Sequence, residues 1–194
     1  GLGDVYKRQY KDTVKNDKIF LCSKKKDLIM VNHQASLTGN HITLFHKLKS
    51  LKGIDYFTIC TPLSYGSKYI RKNVLRQGKR DFGLKYVPLL KLLPVDEYNK
   101  FLDSIPVAIF GALRQEAAGN IMRLLKSGTK VFLRDGNPLL SYYREKGFIV
   151  FSFERDLNSI EDLQPLSQEL QLRNMKMAID TRIFYEDYMP TFFD

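Results

Sequence analysis

The chain has 194 residues, 44% hydrophobic and 27% charged, with a formal net charge of +10. This balance suits one globular domain with a sizeable core, and no apolar run approaches the ~20 residues a membrane span needs. Its two cysteines, Cys22 and Cys60, lack C-x-x-C spacing, which excludes a disulfide scaffold or cysteine-rich zinc site and fits a reducing cytosol.

The segment 1–9, GLGDVYKRQ, reads as an adapter-derived stretch foreign to the fold, with the natural protein continuing upstream of residue 10. Residues 10–27 are lysine-rich and read as a linker or lead-in, with Ile19-Phe20-Leu21 as a possible edge strand. The domain itself is expected over 28–194.

It opens with a compact apolar strand, LIMVN (28–32), followed by the loop HQASLTGN (33–40). Asn40 is a helix N-cap residue by type, and Leu44, Phe45, Leu48 and Leu51 follow at helical spacing, closed by Gly53 as a C′ glycine. IDYFTIC (54–60) predicts the next strand, TPLSYGS (61–67) a loop, and Lys68 to Gly78 a basic helix. LKYVPLL (84–90) predicts a short strand and turn. In PVDEYNKFLDSI (94–105), Tyr98, Phe101, Leu102 and Ile105 fall on one helical face.

VAIF (107–110) is a strand, Ala118 to Ser127 a helix, and KVFL (130–133) another strand. Asn137 is placed to cap a helix with Pro138 at its first position and Gly147 at its end. FIVFS (148–152) is the last strand. Ser159 to Asp180 reads as helix, with the aromatic tail 182–193 packing back on the domain. Strand–helix alternation with near-continuous apolar strands predicts an α/β fold. It is a single Rossmann-like parallel sheet of about five or six strands with helices on both faces.

Ligands of such sheets bind at the carboxyl ends of the strands, so the strand-end loops are the candidate site. The loop after VAIF combines Arg114 and Gln115 with Gly119 and Asn120, at the start of a helix whose free N–H groups form an anion seat. Arg114 is suited to a bidentate phosphate contact. A plain turn with a surface arginine explains the same residues. There is no Walker Gly-Lys-Ser/Thr ending and no G-x-G-x-x-G. Ser64, Tyr65 and Gly66 form a turn that could present hydroxyls to phosphate or sugar. Asn32, His33, Asn40 and His41 bracket the first loop; Asn32, Asn40 and His41 are expected as ligand contacts, a histidine there serving as contact, acid or base, or else as a structural residue. Asp135 and Asn137 follow a strand and could hold a sugar hydroxyl, Asn137 also being a helix cap. His41 and His46 are five residues apart, off the spacing of a helical metal pair, and no metal or cofactor is expected. The run Lys24–Lys26 is a solvated stretch or a contact for anionic lipid.

Three stretches then carry a resemblance: CTPLSYGSKYIRKNV, FGLKYVPLLKLLPVDEYNKFL, and VAIFGALRQEAAGNIMRLLKSGTKVFLRDGNPLLSYYREKG. In order, over about residues 28–155, they resemble the bacterial 4-acetamido-4,6-dideoxygalactose transferase family (TDP-Fuc4NAc:lipid II transferases). That family's pattern at the phosphate loop is Arg-Gln-Gln-x-x-Gly-Asn. Here Arg114, Gln115, Gly119 and Asn120 match it, whereas Glu116 replaces the second glutamine and Gly111-Ala112 replace a polar pair.

The resemblance implies the C-terminal, donor-binding half of a GT-B glycosyltransferase whose N-terminal domain is missing here. It implies a nucleotide-sugar donor, dTDP-linked, and a polyprenyl-diphosphate-linked saccharide acceptor. It further implies a cytoplasmic enzyme, peripheral at the inner face of the bacterial membrane. Two alternatives are a flavodoxin-like binding or regulatory module and a basic nucleic-acid-binding α/β protein. The first needs an acidic pocket at the strand ends, where these loops are basic and amide-rich.

Overall fold

The computed structural model describes residues 27–180. The reading of 1–9, most of the lead-in with its lysine run, and the aromatic tail lie outside the described residues. Strands β1 (Leu28–Val31), β2 (Thr58–Pro62), β3 (Tyr86–Leu89), β4 (Val107–Phe110), β5 (Lys130–Leu133) and β6 (Phe151–Ser152) form one six-stranded sheet in the order β3-β2-β1-β4-β5-β6. Every pairing is parallel. The interleaved helices are α1 (His41–Ser50), α2 (Lys68–Phe82), α3 (Val95–Asp103), α4 (Ala118–Lys126), α5 (Pro138–Glu145) and α6 (Gln168–Asp180).

Apolar side chains leave the strands on both faces and find helices on both. Ile29, Val31, Val107 and Ile109 point to a layer holding Leu44, Phe45 and Leu48 of α1 and Val74 and Phe82 of α2. Met30, Ala108 and Phe110 point the other way, onto Leu102 of α3, Ile121, Leu124 and Leu125 of α4, and Leu139, Leu140 and Tyr143 of α5. This two-sided burial is why the strands read as unbroken apolar runs. β3 is an edge strand and tolerates a proline, Pro88, within the ladder; the other strand proline, Pro62, is the last residue of β2.

Several boundaries differ from the expectations, each for a local reason. Ile54–Tyr56 form a 3-10 turn, so β2 starts only at Thr58 and runs through Pro62. α1 ends at Ser50, and Gly53 (φ 93) starts that turn instead of occupying C′. α2 extends past Gly78 to Phe82, because Phe82 is buried against Phe45 and Tyr86. The expected helix from Ser159 is a 3-10 turn, Ile160–Leu163, held by a capping box between Ser159 and Asp162. Pro165 separates it from α6. α5 is punctuated as read: the Asn137 side chain accepts from Leu139 N, Pro138 is at N1, and Gly147 (φ 88) follows the C-cap.

Candidate functional site

The strand order reverses between β1 and β4, and the crevice outside their carboxyl ends is where such sheets bind ligands. The loops after these two strands are 32–40 and 111–117. Among the described residues, the three non-glycine residues with positive φ are Asn32 (59°), Asn40 (49°) and Ala117 (60°). All three lie in these loops. Such backbone costs about 1–3 kcal/mol per residue and clusters where function demands it.

Asn32, 2% exposed, is the keystone. Its Nδ2 donates to Gly39 O at 2.8 Å and its Oδ1 accepts from Gly111 N at 2.8 Å. Asn40 Nδ2 donates to Thr38 O and to Gly111 O, both at 2.9 Å. Asn40 thus stands at the N-cap position of α1 without making a side-chain cap; its amide is spent joining the two loops. A Cβ on Gly111 would lie 2.0 Å from Gly39 O, so only glycine permits this approach.

The turn after β2 joins the same assembly. Ala35 N donates to Tyr65 O at 2.9 Å and Ser67 N to Ala35 O at 2.8 Å. Gly66 (φ 105) fits there because a Cβ would meet Ala35 O at 2.4 Å. Tyr65 stays exposed, and Ser64 O is held by Arg71 Nη2 at 3.0 Å. Beyond β5, Asn137 Nδ2 donates to Ala112 O at 3.0 Å, bracing the loop after β4 from the far side. Asp135 is turned to Ser152 Oγ (2.6 Å) and Arg155 (3.0 Å). So Asn32, Asn40, Gly66 and Asn137, expected as ligand contacts, build the walls of the crevice, and their amides or backbone are engaged there.

What remains available is concentrated at the start of α4. Its N-cap, Ala117, offers no side-chain bond to the first-turn N–H groups of Ala118, Gly119 and Asn120. Gly119 is exposed, and Asn120 Nδ2 reaches only Tyr98 OH, at 3.5 Å. Gln115 is exposed beside them. Arg114, 71% exposed, donates through Nε to Glu116 Oε1 at 2.6 Å. The same oxygen accepts from Thr38 Oγ1 at 2.6 Å, across from the first loop. Burial disfavours the Glu116 carboxylate. The Thr38 and Arg114 hydrogen bonds and the arginine charge outweigh that and hold its pKa below the usual value. Its other oxygen is sealed from solvent without a partner.

His41, 3% exposed, has neither ring nitrogen bonded, and burial, then the neighbouring His33, lowers its pKa to about 4. It borders a cavity of ≈ 280 Å³ shared with Ser36, Asn40, Tyr69 and Asn73. Burial also lowers His33, against the pull of Glu116. At neutral pH both imidazoles are therefore uncharged, and the positive end of the crevice is Arg114 with the α4 amides. Thr38 carried no sequence signal, lying 78 positions from its partner. Glu116 was conspicuous only as a carboxylate in an otherwise basic loop. No group of histidine, cysteine and carboxylate residues suited to a metal ion occurs among the described residues.

No family model and no curated protein matches the chain. Solved structures do match in shape. The catalytic domain of cholesterol-alpha-glucosyltransferase from Helicobacter pylori superposes with a TM-score of 0.57 at 15% identity, over 80% of this chain and 98% of that one. The chain has the fold of one Rossmann-like half of a GT-B glycosyltransferase. AviGT4, a glycosyltransferase involved in Avilamycin A biosynthesis, gives 0.52 at 14% identity, covering 80% of this chain and 49% of that one. An alpha,alpha-trehalose-phosphate synthase (UDP-forming) from Burkholderia vietnamiensis gives 0.55 at 13%, covering 85% and 42%. The matched region thus spans nearly all of the first chain but under half of the other two.

Proposed function

We propose that the chain is the donor-binding half of a glycosyltransferase, seating the diphosphate of a nucleotide-sugar on the N-terminus of α4. The observation that carries this is the uncapped first turn of α4 at the switch-point end of β4, beside the exposed Arg114. Amide hydrogens, helix dipole and guanidinium converge there on one anion. The strained Asn32, Asn40 and Ala117 fix the geometry in advance, so little reorganisation accompanies charge development on the leaving diphosphate. Ser64, Tyr65 and Gln115 line the approach and supply further donors.

The ordered motifs over 28–155 favour a dTDP-linked amino-deoxy sugar as donor and a polyprenyl-diphosphate-linked saccharide as acceptor, used at the inner face of a bacterial membrane. A second Rossmann-like half belongs across the crevice. Exposed Leu37, Tyr65, Leu92, Val95 and Leu113 stand at the carboxyl rim and are the apolar surface it would cover.

Glu116 sets the state of the site. With no anion bound, its carboxylate holds Arg114; a diphosphate competes for the same guanidinium. Calorimetric titration with dTDP, UDP and GDP tests the reading, with dTDP expected to bind tightest. Arg114→Ala is expected to weaken binding roughly ten- to hundredfold, the worth of a charge-assisted hydrogen bond. Glu116→Gln is expected to tighten it several-fold by removing a like charge and freeing Arg114. Unchanged affinity in Arg114→Ala would remove that residue from the site. Stronger, salt-dependent binding to RNA or DNA than to any nucleoside diphosphate would favour the nucleic-acid reading instead.

A further inference from the structure

Helix α2 carries Lys68, Arg71, Lys72, Arg76, Lys79 and Arg80 against a single carboxylate, Asp81. Lys68, Lys72, Arg76 and Lys79 run down one side of the helix over roughly 16 Å. With Arg71 and Leu75 they line a shallow groove of ≈ 500 Å³. Among the described residues none of these four cations pairs with a carboxylate; Arg76 donates only to Asn73 Oδ1, at 2.7 Å. Asp81 is occupied by Gln77 Nε2 at 2.6 Å and lies 3.6 Å from Arg80. Five arginines elsewhere, Arg114, Arg123, Arg134, Arg144 and Arg155, each meet a carboxylate, as does Lys49 with Asp55; what sets α2 apart is the density of its cations on one face. Like charges one turn apart destabilise a helix, so an unpaired row is a local cost with no compensation inside the fold.

The row is flanked by apolar side chains. Tyr69 is exposed at its start, and Leu84, fully exposed, and Val87, half-exposed, lie beyond its end. Aliphatic groups beside a strip of cations gain free energy by burial at a lipid interface.

We propose that this face of α2 docks on a membrane surface rich in anionic phospholipid. The lysines and Arg76 sit at headgroup phosphates, and Leu84 and Tyr69 enter the interface. The first turn of α2 borders the cavity that holds His41 and Asn40, so docking would bring the carboxyl rim towards lipid-linked substrate. The proposal deepens the lipid-linked acceptor reading and rests on it for its purpose, but the surface can be assayed without transfer.

Co-sedimentation of the whole chain with vesicles is the test, using phosphatidylcholine alone or mixed equally with phosphatidylglycerol. Binding is expected only to the mixture and is expected to weaken with salt. Lys68→Gln, Lys72→Gln, Arg76→Gln and Lys79→Gln combined should weaken it on the order of a hundredfold or more. An equal loss of charge at exposed Lys52, Lys100, Lys146 and Lys176 should cost far less. Leu84→Ser, outside α2, should weaken binding several-fold with the charge intact. Equal losses in the two quadruple variants, binding to phosphatidylcholine alone, or tighter binding to polyuridylate than to the mixed vesicles would each overturn the proposal. Vesicle binding without dTDP binding would uphold docking and sink the donor reading; dTDP binding without vesicle binding would do the reverse.

Discussion

His41 shows what a single side chain does to this fold. An unfolded chain protonates the imidazole near pH 6.5, whereas the native state resists protonation until about 4. The unfolded state therefore holds more protons in this window, and stability falls as the pH drops from 6.5 to 4. The gap is worth at most about 3 kcal/mol. His41→Phe should abolish most of that acid sensitivity in urea melts at a series of pH values; an unchanged slope would assign it to other groups. Gly111 is fixed by sterics. Gly111→Ala drives a methyl group against the Gly39 carbonyl and should cost about 2 kcal/mol or more, read as a lowered melting temperature. Ala117→Gly should stabilise by roughly 1 kcal/mol by relieving a left-handed alanine. At this scale the sequence was informative about residue type and silent about partner. Arg114, Gln115, Gly119 and Asn120 stand out in sequence as one candidate group, and they lie just before and within the first turn of α4. Asn32, Asn40 and Asn137 could not be told apart from ligand contacts, because an amide that joins two loops and one that meets a sugar look identical in sequence.

Among the elements, those with strong punctuation were legible. Asn137-Pro138 and Gly147 fix α5 at both ends, and the apolar runs of β1, β4 and β5 lie where they were read. Asn137→Ala removes a cap and the Ala112 bond together, so it should cost about 1–2 kcal/mol. It should also loosen the loop after β4, visible as faster amide exchange at residues 111–117; unaltered exchange there would separate the cap from the site. Some boundaries were set by tertiary contact and others by local residues that the apolar pattern masked. The length of α2 is decided by Phe82 meeting Phe45 and Tyr86, contacts that no helical period announces. The break before α6 follows from Pro165, whose effect is local but was outweighed in the pattern by the apolar residues around it.

For the whole molecule, the strand–helix rhythm specified a parallel sheet covered on both faces, and the order β3-β2-β1-β4-β5-β6 places its reversal beside the loop richest in permissive and polar residues. Period and composition cannot reveal that order, since it depends on which side of β1 each crossover returns. Among the described residues, α2 carries a dense row of cations, whereas the crevice has one exposed arginine, Arg114, held by Glu116. Amide-resolved NMR of the labelled chain titrated with dTDP tests donor binding in the crevice most directly. The largest shifts are predicted for the backbone amides of Arg114 to Asn120, with smaller ones at Thr38 and Tyr65. Shifts confined to α2, or none at saturating nucleotide, would contradict it.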